Sequence, residues 1–170
     1  MAVWAMKDAI TIVAFETAGL DDEALEHLLW RVYVDEGHAE PHAARVSLSA
    51  RSVRARGEVL AALSGDGTTL VGTVTVARHD SPARRFAKTN EAEVHLLAVD
   101  PAWRNRGIGK ALVESAVQRA RQDCSGRILL WTQPAMTSAQ RLYVRCGFQR
   151  VPEVDFTRAG REFLVFARSD

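Results

Sequence analysis

The chain has 170 residues, with 22 basic and 21 acidic side chains, 47% hydrophobic residues and a net charge of +1. That length fits one domain, residues 1–170, with a buried core, and the composition excludes intrinsic disorder, a collagen-like chain and a disulfide-scaffolded miniprotein. No apolar run approaches the roughly 20 residues of a membrane span, and the balanced charge gives no global field toward nucleic acid or an anionic membrane.

Residues 10–17 read as a first strand, rich in β-branched side chains and ended by Ala18-Gly19. Asp21 or Asp22 then caps a helix whose apolar positions Leu25, Leu28, Leu29, Val32 and Tyr33 follow an i, i+3, i+4, i+7, i+8 pattern. Residues 35–42 break it, and a more polar helix is predicted over 42–56, ended by Gly57. Strands over 58–63 and 69–77 flank the hairpin signal Ser64-Gly65-Asp66-Gly67. Residues 78–90 are polar, contain Pro82 and read as a loop. Residues 91–99 form a strand stopped by Asp100-Pro101, and 107–122 a helix with Ile108, Leu112, Val113, Ala116, Val117 and Ala120 facing inward. Residues 127–132 are a short apolar strand of the kind buried in a parallel sheet, and 137–146 a helix with Gly147 at its C-cap. The last strands are 148–151 and 162–167. The strand–helix–strand unit over 91–132 implies a parallel pair with a right-handed crossover, whereas the earlier hairpin is antiparallel. The expected fold is therefore α/β: a mixed, mostly antiparallel sheet of six or seven strands, a parallel pair at strands 4 and 5, and helices on both faces.

The stretch Arg104-Asn105-Arg106-Gly107-Ile108-Gly109-Lys110 follows a strand and opens a helix. A helix N-terminus offers unpaired N–H groups and a positive dipole end, and glycines let a phosphate approach without a Cβ in the way. Arg104 and Arg106 add charge-assisted contacts. The chemistry implied is pyrophosphate binding. The dinucleotide fingerprint fails because its third small position is Leu112, and the P-loop fails because Gly109-Lys110 is followed by Ala111.

The next helix reads Ala139, Leu142, Tyr143, Gly147, Phe148 in the pattern Ala-x-x-Leu-Tyr-x-x-x-Gly-Phe. With Val99-Asp100-Pro101 and the Arg104–Gly109 loop before it, the chain resembles the GNAT superfamily of acyl-CoA N-acyltransferases across nearly its whole length. The resemblance implies acetyl-CoA as cosubstrate, held by Arg104, Asn105, Arg106, Gly107, Ile108, Gly109 and Lys110 at its pyrophosphate. It also implies that the backbone of Leu97, Ala98 and Val99 meets the pantetheine arm, and that Tyr143 is the general acid. The family often has asparagine three residues before the helix alanine; Met136 stands there, so that contact is either taken over by Thr137 or Ser138 or lost.

Direct transfer to an amine needs a neutral nucleophile, a stabilised carbonyl oxygen and a protonated leaving thiolate. Glu93 and His95 are the candidate bases, and strand alternation puts both on one face with Leu97 and Val99. Of the two, Glu93 is preferred, since some family members use a glutamate on this strand. The acceptor side carries Glu36, His38, Glu40, His42, Glu153 and Asp155, whose acidic groups would suit a cationic amine, small molecule or peptide, and no metal site is expected. Cys124 and Cys146 have no zinc spacing, and residues 1–10 do not read as a signal peptide, so the expectation is a cytoplasmic protein with reduced thiols. Nucleic acid and membrane are not expected partners, and a homodimer is an analogy only. A non-catalytic acyl-CoA-binding regulatory domain is the alternative function.

Overall fold

The computed structural model describes residues 9–124 and 126–169, so the reading of residues 1–10 lies outside it except for Ala9 and Ile10. Among the described residues, eight strands make one sheet: β1 (Thr11–Ala14), β2 (Gly57–Leu63), β3 (Leu70–Ala77), β4 (Ala92–Val99), β5 (Ile128–Thr132), β6 (Gln149–Arg150), β7 (Phe156–Arg158) and β8 (Arg161–Arg168). Their order is β1-β2-β3-β4-β5-β8-β6, with β7 paired to β8. Of these pairings β4 with β5 is parallel and the others are antiparallel. The mixed sheet with its parallel pair matches expectation, and the short β7 is the strand the sequence does not announce. Three residues, Phe156 to Arg158, give too little alternation to read.

Helices cover both faces because the strands are apolar on both. Along β2, Leu60 and Ala62 face a cluster built with helix α4 (Ile108–Arg121) and Tyr143, Cys146 and Phe148. Val59, Ala61 and Leu63 face the other cluster, built with α1 (Asp22–Trp30), α2 (Pro41–Ser47) and α3 (Ala50–Arg56). All six positions predicted to face inward on α4 are buried.

The single helix expected over 42–56 is two. Ser49 caps α3 by accepting from the Ser52 N–H, and the Glu26 carboxylate accepts from the Ala50 N–H at 2.8 Å. Ser49 offers the backbone an alternative bond that competes with helix continuation, and a partner from α1 fixes the break. The helical run that begins with α1 ends near Asp35 as expected, but its last turn, Arg31–Asp35, is wound as a π-helix. Residues 15–17, read as strand, turn instead as a 3₁₀ segment, Phe15–Thr17. Cys124 and Cys146 are free thiols, and burial raises the pKa of each. Among the described residues, no helix is long and apolar enough to cross a membrane.

Two features of β4 disturb the sheet toward its C-terminal end. Its ladder with β5 contains only the pairs Ala92↔Ile128 and Glu93↔Leu129, after which the strands separate. On its other edge a bulge inserts one residue: Thr73 faces Ala98 and Thr75 faces His95, so Leu96 and Leu97 both oppose Val74. Leu96 takes the left-handed conformation, φ 53°.

Candidate active site

The bulge shifts the side-chain phase of β4 by one residue. Ala92, Val94, Leu97 and Val99 pack on the α4 side, whereas Leu96 and Ala98 pack on the α1 side. The expectation that Glu93, His95, Leu97 and Val99 share one face is therefore incorrect; the alternation holds up to His95 and is reversed beyond it.

Where β4 and β5 part, a cavity of about 440 Å³ opens. Leu96 and Leu97 line it from β4, Trp131 and Thr132 from β5, and Tyr143 from helix α5 (Thr137–Arg145). Tyr33, carried in by the π turn that continues α1, donates its hydroxyl to the Leu97 carbonyl at 2.9 Å. That bond occupies one of the β4 backbone groups expected to meet a pantetheine arm and ties the end of that turn to the bulge. Burial raises the pKa of the Tyr33 hydroxyl, so it remains a donor.

Tyr143 is buried at the cavity wall, its ring against Phe148 and Phe166 with centroids 6.2 and 5.7 Å away. Burial drives its pKa well above the ordinary phenol range, and Tyr33 and Cys146 add to the effect. A phenol held protonated in this way donates a hydrogen bond to a nearby anionic atom and resists giving the proton away. Ala139 and Leu142, the other members of that helix motif, pack on the core cluster beneath it.

Glu93 and His95 are joined, with His95 Nε2 2.8 Å from Glu93 Oε2. Glu93 is 0% exposed and does not line the cavity; His95, 4% exposed, does. The Glu93 carboxylate also accepts backbone N–H groups of Arg85, Phe86 and Ala87, closing the 78–91 loop over β4. Burial alone would raise its pKa, but the His95 bond and the N–H groups of Ala87, Phe86 and Arg85 outweigh burial and hold the carboxyl below its ordinary value. Ionised Glu93 can only accept, so the imidazole carries a proton on Nε2. His95 Nδ1 is buried and has no hydrogen-bond partner among the described residues, and Thr132 Oγ1 on the same cavity wall is equally unpartnered.

None of Arg104 to Lys110 lines the cavity; they lie where α4 starts at Gly107, which has φ 79° and no side-chain cap. A Cβ on Gly107 would meet nothing within 4 Å, so the chain is open on that side of the helix start, where the first-turn N–H groups have no intrahelical acceptor. Asp100 accepts from the Ala102 N–H and pairs with Arg31 at 2.9 Å, anchoring the turn that delivers the loop. Of the expected contacts, Asn105 and Lys110 are exposed, Ile108 is in the core with only its backbone available, and Gly109 sits under Leu142, 3.0 Å from its would-be Cβ. Arg106 stacks over Trp103 at 4.8 Å. Arg104 is held in a two-pronged bond to Glu36, 2.7 and 3.1 Å, so a phosphate would have to compete with a carboxylate for it. An uncapped 14-residue helix behind an open left-handed glycine fits a pyrophosphate.

The acidic side chains expected to attract a cationic amine are largely spent. Besides Glu36, Glu40 pairs with Arg161 at 2.7 Å and Asp155 makes two bonds to Arg150. His38 lies 3.7 Å from Glu36. Residues that sequence reasoning leaves out of the acceptor side, Trp131, Thr132 and Arg158, line the cavity, as does Arg56, whose only mark in the sequence is its place in a basic cluster with Arg51 and Arg54. Nothing local points to them, because β5 reads as a core strand and Arg158 sits on the short β7.

The model of the acetyltransferase (GNAT) family matches residues 12–148. The N-alpha-acetyltransferase RimI of Mycobacterium tuberculosis is 37% identical over 87 residues, which is 50% of this chain and 49% of that protein. The chain spans between 21% and 49% of the length of the first curated relatives it matches. A GNAT family acetyltransferase structure from Staphylococcus aureus Mu50 superposes with TM-score 0.71 at 20% identity, covering 94% of this chain and 98% of that one. A GNAT family acetyltransferase from Elizabethkingia anophelis with acetyl-CoA bound has TM-score 0.65 at 18% identity, covering 96% and 100%.

Proposed function

This chain belongs to the acetyltransferase (GNAT) family, and from that premise we propose that it is an N-acetyltransferase acting on a primary amine by direct attack within a ternary complex. Acetyl-CoA supplies the activated acetyl group as cosubstrate: the amine nitrogen bonds to the acetyl carbon, the carbon–sulfur bond breaks, and coenzyme A leaves as its thiolate, which takes a proton from solvent. Holding both substrates in one cavity supplies much of the rate. The first turn of α4, from Gly107 to Lys110, binds the pyrophosphate, and Arg106 and Lys110 add charge beside it. The separated edge of β4, Leu97 to Val99, lies along the pantetheine arm, and its free backbone groups polarise the acetyl oxygen.

His95 Nδ1 accepts the proton the amine loses, and Glu93 works behind it as a positioning residue that fixes the tautomer and the ring. The proton-accepting role passes from Glu93 to His95 because Glu93 is walled off from the cavity by its own ligands. Tyr143 faces the departing sulfur as a hydrogen-bond donor, stabilising the thiolate more than protonating it. The acceptor amine, free thiols and a cytoplasmic setting belong to the same reading.

One observation carries it: the parting of β4 from β5 puts an unpartnered imidazole nitrogen and a buried tyrosine on the walls of one cavity. The test is release of free thiol from acetyl-CoA in the presence of an amine panel. Amine-dependent release supports the proposal. Binding of acetyl-CoA without release for any amine supports the regulatory domain instead.

A further inference from the structure

A second recess of about 440 Å³ lies against the first cavity. Four residues line both: Arg56, His95, Trp131 and Arg158. Arg84 and Arg85 line the recess as well, so four arginines border the space that His95 also borders. Arg84 is spent on the carbonyls of His79, Ala87, Lys88 and Glu91 and serves the loop.

The other three arginines are different. Arg56 donates to the Ser47 carbonyl at 3.0 Å. Arg85 lies over the Phe156 ring at 4.0 Å and Arg158 over Phe163 at 5.3 Å. Among the described residues none of the three has a carboxylate partner, although arginines elsewhere in the chain commonly do. The Glu93 carboxylate, which the Arg85 N–H reaches, is closed off by its backbone ligands and His95. Arg158 lowers the pKa of Arg56, and Arg85 lowers that of Arg158, in each case after burial, so these charges repel across the recess. Guanidiniums gathered without a counter-charge favour an oxyanion, which they can hold by charge-assisted, two-pronged bonds.

We infer that the acceptor is a small primary amine carrying a carboxylate or phosphonate, its amine at His95 and its oxyanion held in the recess by Arg56, Arg85 and Arg158. This rests on the N-acetyltransferase reading and reverses the charge expected of the acceptor from Glu36, Glu40 and Asp155, whose carboxylates are already paired. The recess is of small-molecule size. Trp131, shared by both spaces, covers the carbon body between the two polar ends.

The test compares matched acceptors in the thiol-release assay: 4-aminobutanoate with 4-aminobutanamide, and 3-aminopropylphosphonate with 3-aminopropanol. The two pairs separate carboxylate from phosphonate. The oxyanion member is expected to have kcat/KM about 10- to 100-fold higher, mostly through KM, the range of one or two charge-assisted bonds. Arg158→Met should collapse that preference while the affinity for acetyl-CoA stays as it was, and Arg158→Lys should restore part of it. Circular dichroism checks that each variant folds. Equal use of the uncharged members, or a preference that survives in both Arg158→Met and Arg56→Met, overturns the inference. If no amine is acetylated although acetyl-CoA binds, the transfer reading fails, and the recess is then judged alone by calorimetry with propylphosphonate and coenzyme A. Binding that disappears in Arg158→Met upholds the anion site; absence of binding to the unaltered protein overturns it.

Discussion

The Glu93 carboxylate holds the 78–91 loop through three backbone N–H groups and supports His95 with the same two oxygens. Glu93→Gln keeps an acceptor oxygen but turns an NH₂ group toward backbone donors, and is expected to cost about 1–3 kcal/mol of stability. The pH dependence has a definite sign. The folded pKa is depressed, so the stabilisation is present above the unfolded value near ~4.3 and is lost as pH falls through the folded one. Thermal melts from pH 7 down should show the gap between the unaltered protein and Glu93→Gln closing only in acid. A constant gap, or none at neutral pH, counts against the anchoring role. His95→Gln should instead lower kcat by roughly 10²–10⁴-fold with a much smaller change in melting temperature. Tyr143→Phe removes a hydroxyl and no packing carbon, so the contacts with Phe148 and Phe166 survive. A kcat loss on the order of 10²-fold, about 2.7 kcal/mol at 1.36 per tenfold, is expected with coenzyme A affinity intact. Full turnover in Tyr143→Phe would assign that ring to packing alone.

At the scale of elements, α4 does two jobs through two glycines with different reasons for being glycine. Gly107 needs its left-handed φ of 79°, where an L side chain is strained whatever the space around it. Gly107→Val is expected to destabilise the chain by about 1–3 kcal/mol and also to weaken coenzyme A binding at least tenfold, since the first turn is re-aimed. The sequence alone anticipates the second effect and not the first. Gly109 has an ordinary helical backbone, but its Cβ would press on Leu142 of α5. Gly109→Val therefore perturbs the contact between α4 and α5, and its loss of affinity should be accompanied by looser packing of α5. Denaturant melts with coenzyme A calorimetry on the two variants separate these causes. If both bind coenzyme A like the parent, the α4 terminus is not the phosphate site.

For the molecule as a whole, the site lies where one sheet stops pairing with itself. A ligand wedged between β4 and β5 binds the folded chain and not the unfolded one. Acetyl-CoA at 100 times its Kd should add about 2.7 kcal/mol of stability. For a chain of this size that is a rise of roughly 5–10 °C in melting temperature. No shift at saturating acetyl-CoA would remove the cosubstrate from the proposal.

The sequence by itself determined the helix face of α4, the hairpin between β2 and β3, the parallel pair around α4, and the glycine and tyrosine motifs that carry the family. These are local signals: periodicities of 3.6 and 2, turn glycines and the order of elements. Tertiary structure decided the rest. Glu93 is a candidate base as a lone strand carboxylate and a loop anchor once Arg85, Phe86 and Ala87 fold over it. Ser49 breaks a helix because Glu26 of α1 is there to receive the new N-terminus. Leu96 reverses the phase of β4 because β3 supplies one residue, Val74, opposite two. Glu36 and Glu40 lose their pull on an amine because Arg104 and Arg161, 68 and 121 residues away, reach them first. Arg56 and Arg158 line the same recess as His95 only because α3 and β7 bring them there. Charges and carboxylates are assigned by their partners, and those partners are chosen by the packing of distant segments, which no window of sequence contains.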